Sequence, residues 1–149
     1  MERLLRAIHR RRYWPIGPGT AKKSCLFFDD AADALVRASE TERAVGGTFV
    51  VAPPAPATLD EIHSFAFAAF GRSPPPAIPL AVVTTITRLV DAASPYFLGH
   101  ATSLTDSART LAADAAFDGS AFAQACGFTP RVALKTGLKT TADWIRANA

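Results

Sequence analysis

Proline and glycine fall in clusters along this chain, and each cluster bars a regular element from running through it. Trp14-Pro15-Ile16-Gly17-Pro18-Gly19 removes two backbone donors and offers two left-handed positions, so no helix crosses it. Pro53, Pro54 and Pro56 stiffen a second stretch, and Pro74-Pro75-Pro76 a third. The segments between the breaks are long enough for single helices or short strands. With 149 residues in all, the expectation is one domain, 1–149, of short strands alternating with helices around one core.

Composition removes several classes. Apolar residues make up 49% and charged residues 19% of the chain, which excludes a disordered tail and a fibrous repeat. The longest weakly polar stretch, Ile78 to Val90, holds three Thr and Arg88 and is too short to span a bilayer. Met1-Glu2-Arg3-Leu4-Leu5-Arg6 has no apolar signal core. Cys25 and Cys126 match no metal spacing. The expectation is a cytoplasmic protein with two buried thiols and no membrane partner.

Charge is uneven. Arg3, Arg6, Arg10, Arg11, Arg12, Lys22 and Lys23 face only Glu2 within the first 23 residues. Such a basic end suits phosphate. It also suits the C-terminal turn of a helix, whose dipole it complements. No helix-turn-helix, zinc finger or aromatic RNA motif accompanies it, so nucleic acid is not expected as a partner.

Periodicity predicts helices over 2–12, from Ala31 to about Glu42, over 59–70, from Ile78 onward, over 105–113, from Asp118 to Gly127, and around Leu134 to Ile145. Cys25–Phe28 and Thr48–Val51 are predicted strands, and Ala115–Phe117 a short extended piece. Asp29 and Asp30 read as caps for the helix behind them. Thr58-Leu59-Asp60-Glu61 is a capping box. The predicted buried stripes are Ala31, Ala34, Leu35, Ala38; Leu59, Ile62, Phe65, Ala66, Ala69; and Val83, Ile86, Leu89, Val90, Ala93. Residues 94–104 read as irregular.

Catalytic constellations are scarce. His9, His63 and His100 are scattered, with His63 on the flank of its helix and His100 in a loop. There is no G-x-S-x-G, H-E-x-x-H or C-x-x-C motif. Gly17-Pro18-Gly19 lacks the strand–turn–helix setting and third glycine of a dinucleotide fingerprint.

The order of motifs, however, is similar to the C-terminal part of extended short-chain dehydrogenases/reductases. That group contains the nucleotide-sugar epimerases and dehydratases and the 3β-hydroxysteroid dehydrogenase-like enzymes. Its basic helix and Pro-x-x-Gly-x-Gly loop resemble Trp14-Pro15-Ile16-Gly17-Pro18-Gly19. Its apolar strand ending in Val-Asp-Asp resembles Cys25-Leu26-Phe27-Phe28-Asp29-Asp30, followed by Ala31-Ala32-Asp33-Ala34-Leu35. Gly47-Thr48-Phe49-Val50-Val51 and Thr58-Leu59-Asp60-Glu61-Ile62 follow in family order, then Ala77-Ile78-Pro79-Leu80. Asp118-Gly119-Ser120, Cys126-Gly127-Phe128-Thr129-Pro130 and the run from Leu134 to Trp144 complete it.

The resemblance implies an α/β fold, helix-rich with short strands: the substrate-binding C-terminal subdomain of such an enzyme, with the Rossmann half absent. Those enzymes use a glycine-rich NAD(P) loop and a Tyr-x-x-x-Lys pair. Here the fourth place after Tyr13 is Gly17, and after Tyr96 it is His100. The resemblance therefore implies no catalytic residue in this chain and no cofactor bound by it alone, NAD(P) belonging to the full-length family. It implies a small-molecule substrate, a nucleotide sugar or a steroid-like compound, with a separate Rossmann domain as partner. Bare apolar surface then makes a homo-oligomer the expected state. A stand-alone binding or assembly module derived from the fold is the alternative.

In the nucleotide-sugar branch a basic residue shortly before the Asp-Asp motif grips substrate phosphate. Lys23 falls there, with Lys22 adjacent. Trp14, Pro15, Gly17, Gly19, Lys22 and Lys23 are the expected substrate-binding residues: an aromatic face for stacking, glycines that let backbone approach a ligand, and point charges for phosphate.

Overall fold

The computed structural model describes residues 1–98 and 104–148. Helix α1 covers Glu2–His9, strand β1 Lys22–Lys23 and α2 Phe28–Glu40, with a 3-10 turn over Glu42–Ala44. Strand β2 covers Ala57–Thr58 and runs directly into α3, Leu59–Ala69. Then come α4 (Leu80–Leu98), α5 (Leu104–Ala112), α6 (Ser120–Cys126) and α7 (Leu134–Ala147). The two strands pair antiparallel, Lys22 with Thr58 and Lys23 with Ala57. Ala115 adds a parallel bridge to Lys23.

Buried residues form two clusters rather than the single core expected from sequence. The first lies where α1, α3 and α7 meet and contains Leu5, Ile8, Ala66, Phe67, Leu138 and Ile145. In α7 the buried set is Gly137, Leu138, Ala142 and Ile145; of the stripe that periodicity marks, Leu138 and Ile145 are buried while Leu134 and Thr141 are half-buried. A Cβ on Gly137 would meet the Phe27 ring at 2.7 Å, so any larger residue there would displace that ring. The second cluster holds Ala34, Phe122, Cys126 and Phe128, with Phe49 and Val51 packed against it.

Neither predicted strand forms. Cys25–Phe27 is irregular and Phe28 already belongs to α2, while 48–51 lies outside any ladder. Both runs are apolar because they wall packed regions, not because they pair. The ladder forms instead at the polar pairs Lys22–Lys23 and Ala57–Thr58, where the Pro-rich loop brings two extended backbones side by side. Helix α1 stops at His9 instead of Arg12, with Arg11 in the left-handed region at φ 57°. Helix α4 runs on to Leu98, through residues expected to be irregular.

Three side-chain roles also differ. The Asp29-Asp30 pair does not cap α2, whose N-cap is Phe27. Asp30 is instead 3% exposed, and its carboxylate accepts from the amides of Arg131 (2.9 Å) and Val132 (3.1 Å), fastening the lead-in to α7. Leu35 is 74% exposed, so the apolar part of the inner face of α2 is Ala34, with Ala38 packed beside it. His63 is buried at 4% exposure, and its Nε2 is hydrogen-bonded to the Tyr13 hydroxyl at 2.7 Å. The buried face of α3 thus runs through Ile62, His63, Ala66 and Phe67.

Other sequence signals hold. Thr58 Oγ1 accepts from the Glu61 amide and Glu61 Oε2 from the Thr58 amide, at 3.2 and 2.8 Å. Gly127 ends α6 in the left-handed conformation, φ 59°. Among the described residues no helix is long and apolar enough to cross a membrane.

Asp30→Ala leaves two amides without their acceptor and should cost about 1–3 kcal/mol in urea unfolding, with Asp30→Asn costing less. A loss below about 0.5 kcal/mol would contradict the clamp. His63 carries a pH signature. Burial lowers its pKa below the ordinary value, with Asp60 pulling weakly the other way. The folded state therefore resists protonation that the unfolded chain accepts. Stability is full above about pH 6.5 and falls as pH drops below it. The melting temperature should decline from pH 7 to pH 5 more steeply in the native chain than in His63→Gln.

Candidate functional site

The loop after α1 is strapped down by backbone bonds. The Gly17 amide donates to the Ile78 carbonyl and the Ile78 amide to the Pro15 carbonyl, both at 2.9 Å. The Asp60 amide donates to Gly19 and the Leu59 amide to Ala21, again at 2.9 Å. Gly17 and Gly19 both have positive φ, 75° and 71°. A Cβ on Gly19 would sit 3.0 Å from the Asp60 Cβ. The close approach is that of Gly19 to the start of α3; Gly17 meets nothing nearer than Leu80 Cβ at 3.7 Å and is required by its positive φ.

The six sequence-predicted residues divide accordingly. Pro15 and Gly17 are buried beneath the loop. Trp14 is 54% exposed and presents its indole to solvent. Lys22 is exposed, with its amide donating to Asp114 Oδ1 at 2.7 Å. Lys23 Nζ donates to the Ala113 carbonyl at 2.6 Å, which holds the ammonium against the chain. Trp14 and Lys22 are the two whose side chains face outward on this ribbon. His100 lies outside the described residues.

Three cavities open elsewhere, and none of the six residues lines them. One of about 410 Å³ lies among Met1, Cys25, Phe27, Phe28, Leu134 and Leu138. A smaller one of about 180 Å³ shares Cys25, Leu26, Val132 and Leu134 with it. A third, of about 590 Å³, is walled by Pro53, Pro54, Pro56, Phe117, Phe128 and Pro130. The apolar run Cys25–Phe28 was the sequence signal for the first, read there as a strand. Phe28 is 76% exposed at that cavity, and Leu35 and Val36 extend bare apolar surface along α2.

The chemistry available is limited. Burial pushes the Cys25 thiol above its ordinary pKa, against the opposing pull of the N-terminal amine and Lys23, which makes it a poor nucleophile. Asp118 is held below the usual carboxylate range by the Ser120 amide and hydroxyl. Among the described residues no group of three or more His, Cys, Asp or Glu could hold a metal ion. Such an arrangement can bind and orient, and the one titratable pair described above, Tyr13 with His63, is part of the α3 packing.

No family model and no curated protein matches the chain. Solved structures do. The UDP-glucuronic acid 4-epimerase from Bacillus cereus, in complex with UDP-glucuronic acid and NAD, matches 99% of this chain with a TM-score of 0.67 at 18% identity. MoeE5 in complex with UDP-glucuronic acid and NAD matches 99% with a TM-score of 0.63 at 19% identity. This chain spans only 39% of the first and 41% of the second. At such identity the likeness is one of fold. The chain has the fold of the C-terminal part of an extended short-chain dehydrogenase/reductase of the epimerase kind.

Proposed function

We propose that this chain is the substrate-side portion of an NAD(P)-dependent epimerase, dehydratase or dehydrogenase, and that its ligand is a nucleotide sugar. One observation carries the reading: the fold matches over 99% of the chain to proteins solved with UDP-glucuronic acid and NAD. That favours the nucleotide-sugar branch over the steroid-like one. Trp14 supplies a stacking face for the base. Lys22, exposed eight residues further along the chain, supplies a point charge for the diphosphate. Lys23, already bonded to Ala113, is the weaker candidate.

Hydride and proton chemistry would come from a nucleotide-binding portion. Tyr13 is poorly suited to act as the acid/base: burial raises its phenol above the ordinary pKa, and its hydroxyl is bonded to His63. The bare α2 face with Phe28, Leu35 and Val36, beside the 410 Å³ cavity, is apolar surface of the kind such a portion could cover.

One wall of a cleft buries little of a ligand, so affinity should be weak, on the order of millimolar. In NMR titrations UDP-glucuronic acid should shift resonances of residues 14–23, and Trp14→Ala should abolish those shifts while leaving the spectrum folded. NAD+ should show no micromolar binding by calorimetry. Shifts centred on Cys25–Phe28 and Leu134–Thr141, or tight NAD+ binding, would contradict the reading.

A further inference from the structure

The arginines of the first twelve residues are left over once the fold is accounted for. Arg3, Arg6, Arg10, Arg11 and Arg12 stand there against a single acid, Glu2. The end of α1 does not consume the last three. The helix stops at His9, and its final carbonyls are taken by other donors: Ala7 by the Arg12 amide, Ile8 by the Arg11 amide and by Arg72 Nη1 at 2.9 Å. The side chains of Arg3, Arg10, Arg11 and Arg12 are exposed and, among the described residues, make no ion pair or hydrogen bond. Arg6 is engaged. Its Nε donates to Glu2 Oε1 at 2.7 Å, and its guanidinium lies over the Trp144 ring, 5.4 Å from the centroid. Arg3, Arg6 and Arg10 follow steps of three and four, so they share one face of α1. Trp144 of α7 sits beside that face and is 51% exposed.

We propose that this face of α1, together with Trp144, docks single-stranded nucleic acid, with phosphates along the free arginines and one base stacked at the indole. The unpaired cations set the sign of the partner. They displace counterions from a phosphate chain, and no ion pair has to break first. The ring sets its class. A base has a π-face to lay on indole or guanidinium, whereas the carboxylates of an acidic protein and the headgroups of a lipid have none. A duplex keeps its bases in the stack and leaves the ring without a partner. Lipid fails on a second count. Leu5 and Ile8, the apolar side of α1, are buried in the first core cluster, so the helix has no apolar face to sink into a bilayer. The motifs missing from the sequence speak against helix-turn-helix, zinc-finger and RNA-motif folds, and are silent about a basic helix with a tryptophan beside it. The inference goes beyond the ligand reading and does not rest on it, because that reading uses Trp14 and Lys22 on the following segment.

Fluorescence anisotropy of a labelled oligouridylate of about twelve nucleotides with the whole chain should show micromolar binding at about 50 mM salt. The logarithm of the affinity should fall against log salt with a slope of about −3, four phosphates at about 0.7 each. Arg3→Ala with Arg10→Ala should weaken binding and bring the slope to about −1.5, while Arg3→Lys with Arg10→Lys should keep it near about −3. Trp144→Ala should weaken binding about tenfold and leave the slope unchanged. For inorganic polyphosphate and for the duplex with oligoadenylate, Trp144→Ala should change nothing. All these positions except Arg6 are free at the surface, so far-ultraviolet dichroism should match the native chain in every variant. UDP-glucuronic acid should shift residues 14–23 alike in all of them, which separates a failure here from a failure of the ligand reading. A native chain that does not bind the oligonucleotide at about 100 micromolar would overturn the proposal. So would a Trp144→Ala chain that binds as the native one does, or a salt slope unmoved by the double alanine change. Flotation with phosphatidylcholine–phosphatidylserine vesicles, lost in Arg3→Ala with Arg10→Ala, in a chain that ignores the oligonucleotide would overturn it in favour of lipid.

Discussion

The first turn of α3 is the joint on which the remaining geometry depends. A helix begins with backbone amides that have no partner inside it. In α3 three of them are satisfied by the chain itself: Leu59 by the Ala21 carbonyl, Asp60 by that of Gly19, and Glu61 by the Thr58 hydroxyl. The loop after α1 is thereby fixed to the start of α3, and β1 is delivered to β2 immediately before it. Behind the same turn, His63 and Phe67 meet Tyr13, so the loop is held from inside as well. Because these amides are spent on carbonyls and a hydroxyl, the N-terminus of α3 is not left over for an anion.

This joint explains which parts of the fold were legible in the sequence. Thr58 and Glu61 advertise a capping box, and Gly127 advertises a left-handed helix end, because each depends on chemistry local to a few residues. Half of the α7 stripe, Leu138 and Ile145, was legible for the same reason. Asp30 and His63 were misread because their partners, Arg131, Val132 and Tyr13, are remote in sequence. An aspartate before a helix looks like a cap until the chain 101 residues away supplies amides for it.

The strands and α4 failed for a different reason. Periodicity reports that a face is apolar and is silent about what covers it. Cys25–Phe28 and Thr48–Val51 read as buried strands, yet they line a cavity and a packed cluster without pairing. The stripe Ile86, Leu89, Val90 was found correctly as a pattern but faces water. The six residues expected at the site fall into two groups. Trp14 and Lys22 are outward, whereas Gly19 is used by the packing of the loop on Asp60 and Gly17 by the turn's positive φ. Family resemblance located the loop; only the contacts at 60 and 78 distinguish a glycine kept for a ligand from one kept for the fold.

The central claim is therefore that residues 14–21 form a structural strap, with Gly19 held against the start of α3. The equilibrium unfolding free energy of Gly19→Ala tests it most directly. The account predicts a loss of about 1–3 kcal/mol, from a left-handed φ and a Cβ forced against Asp60. A variant as stable as the native chain would contradict it.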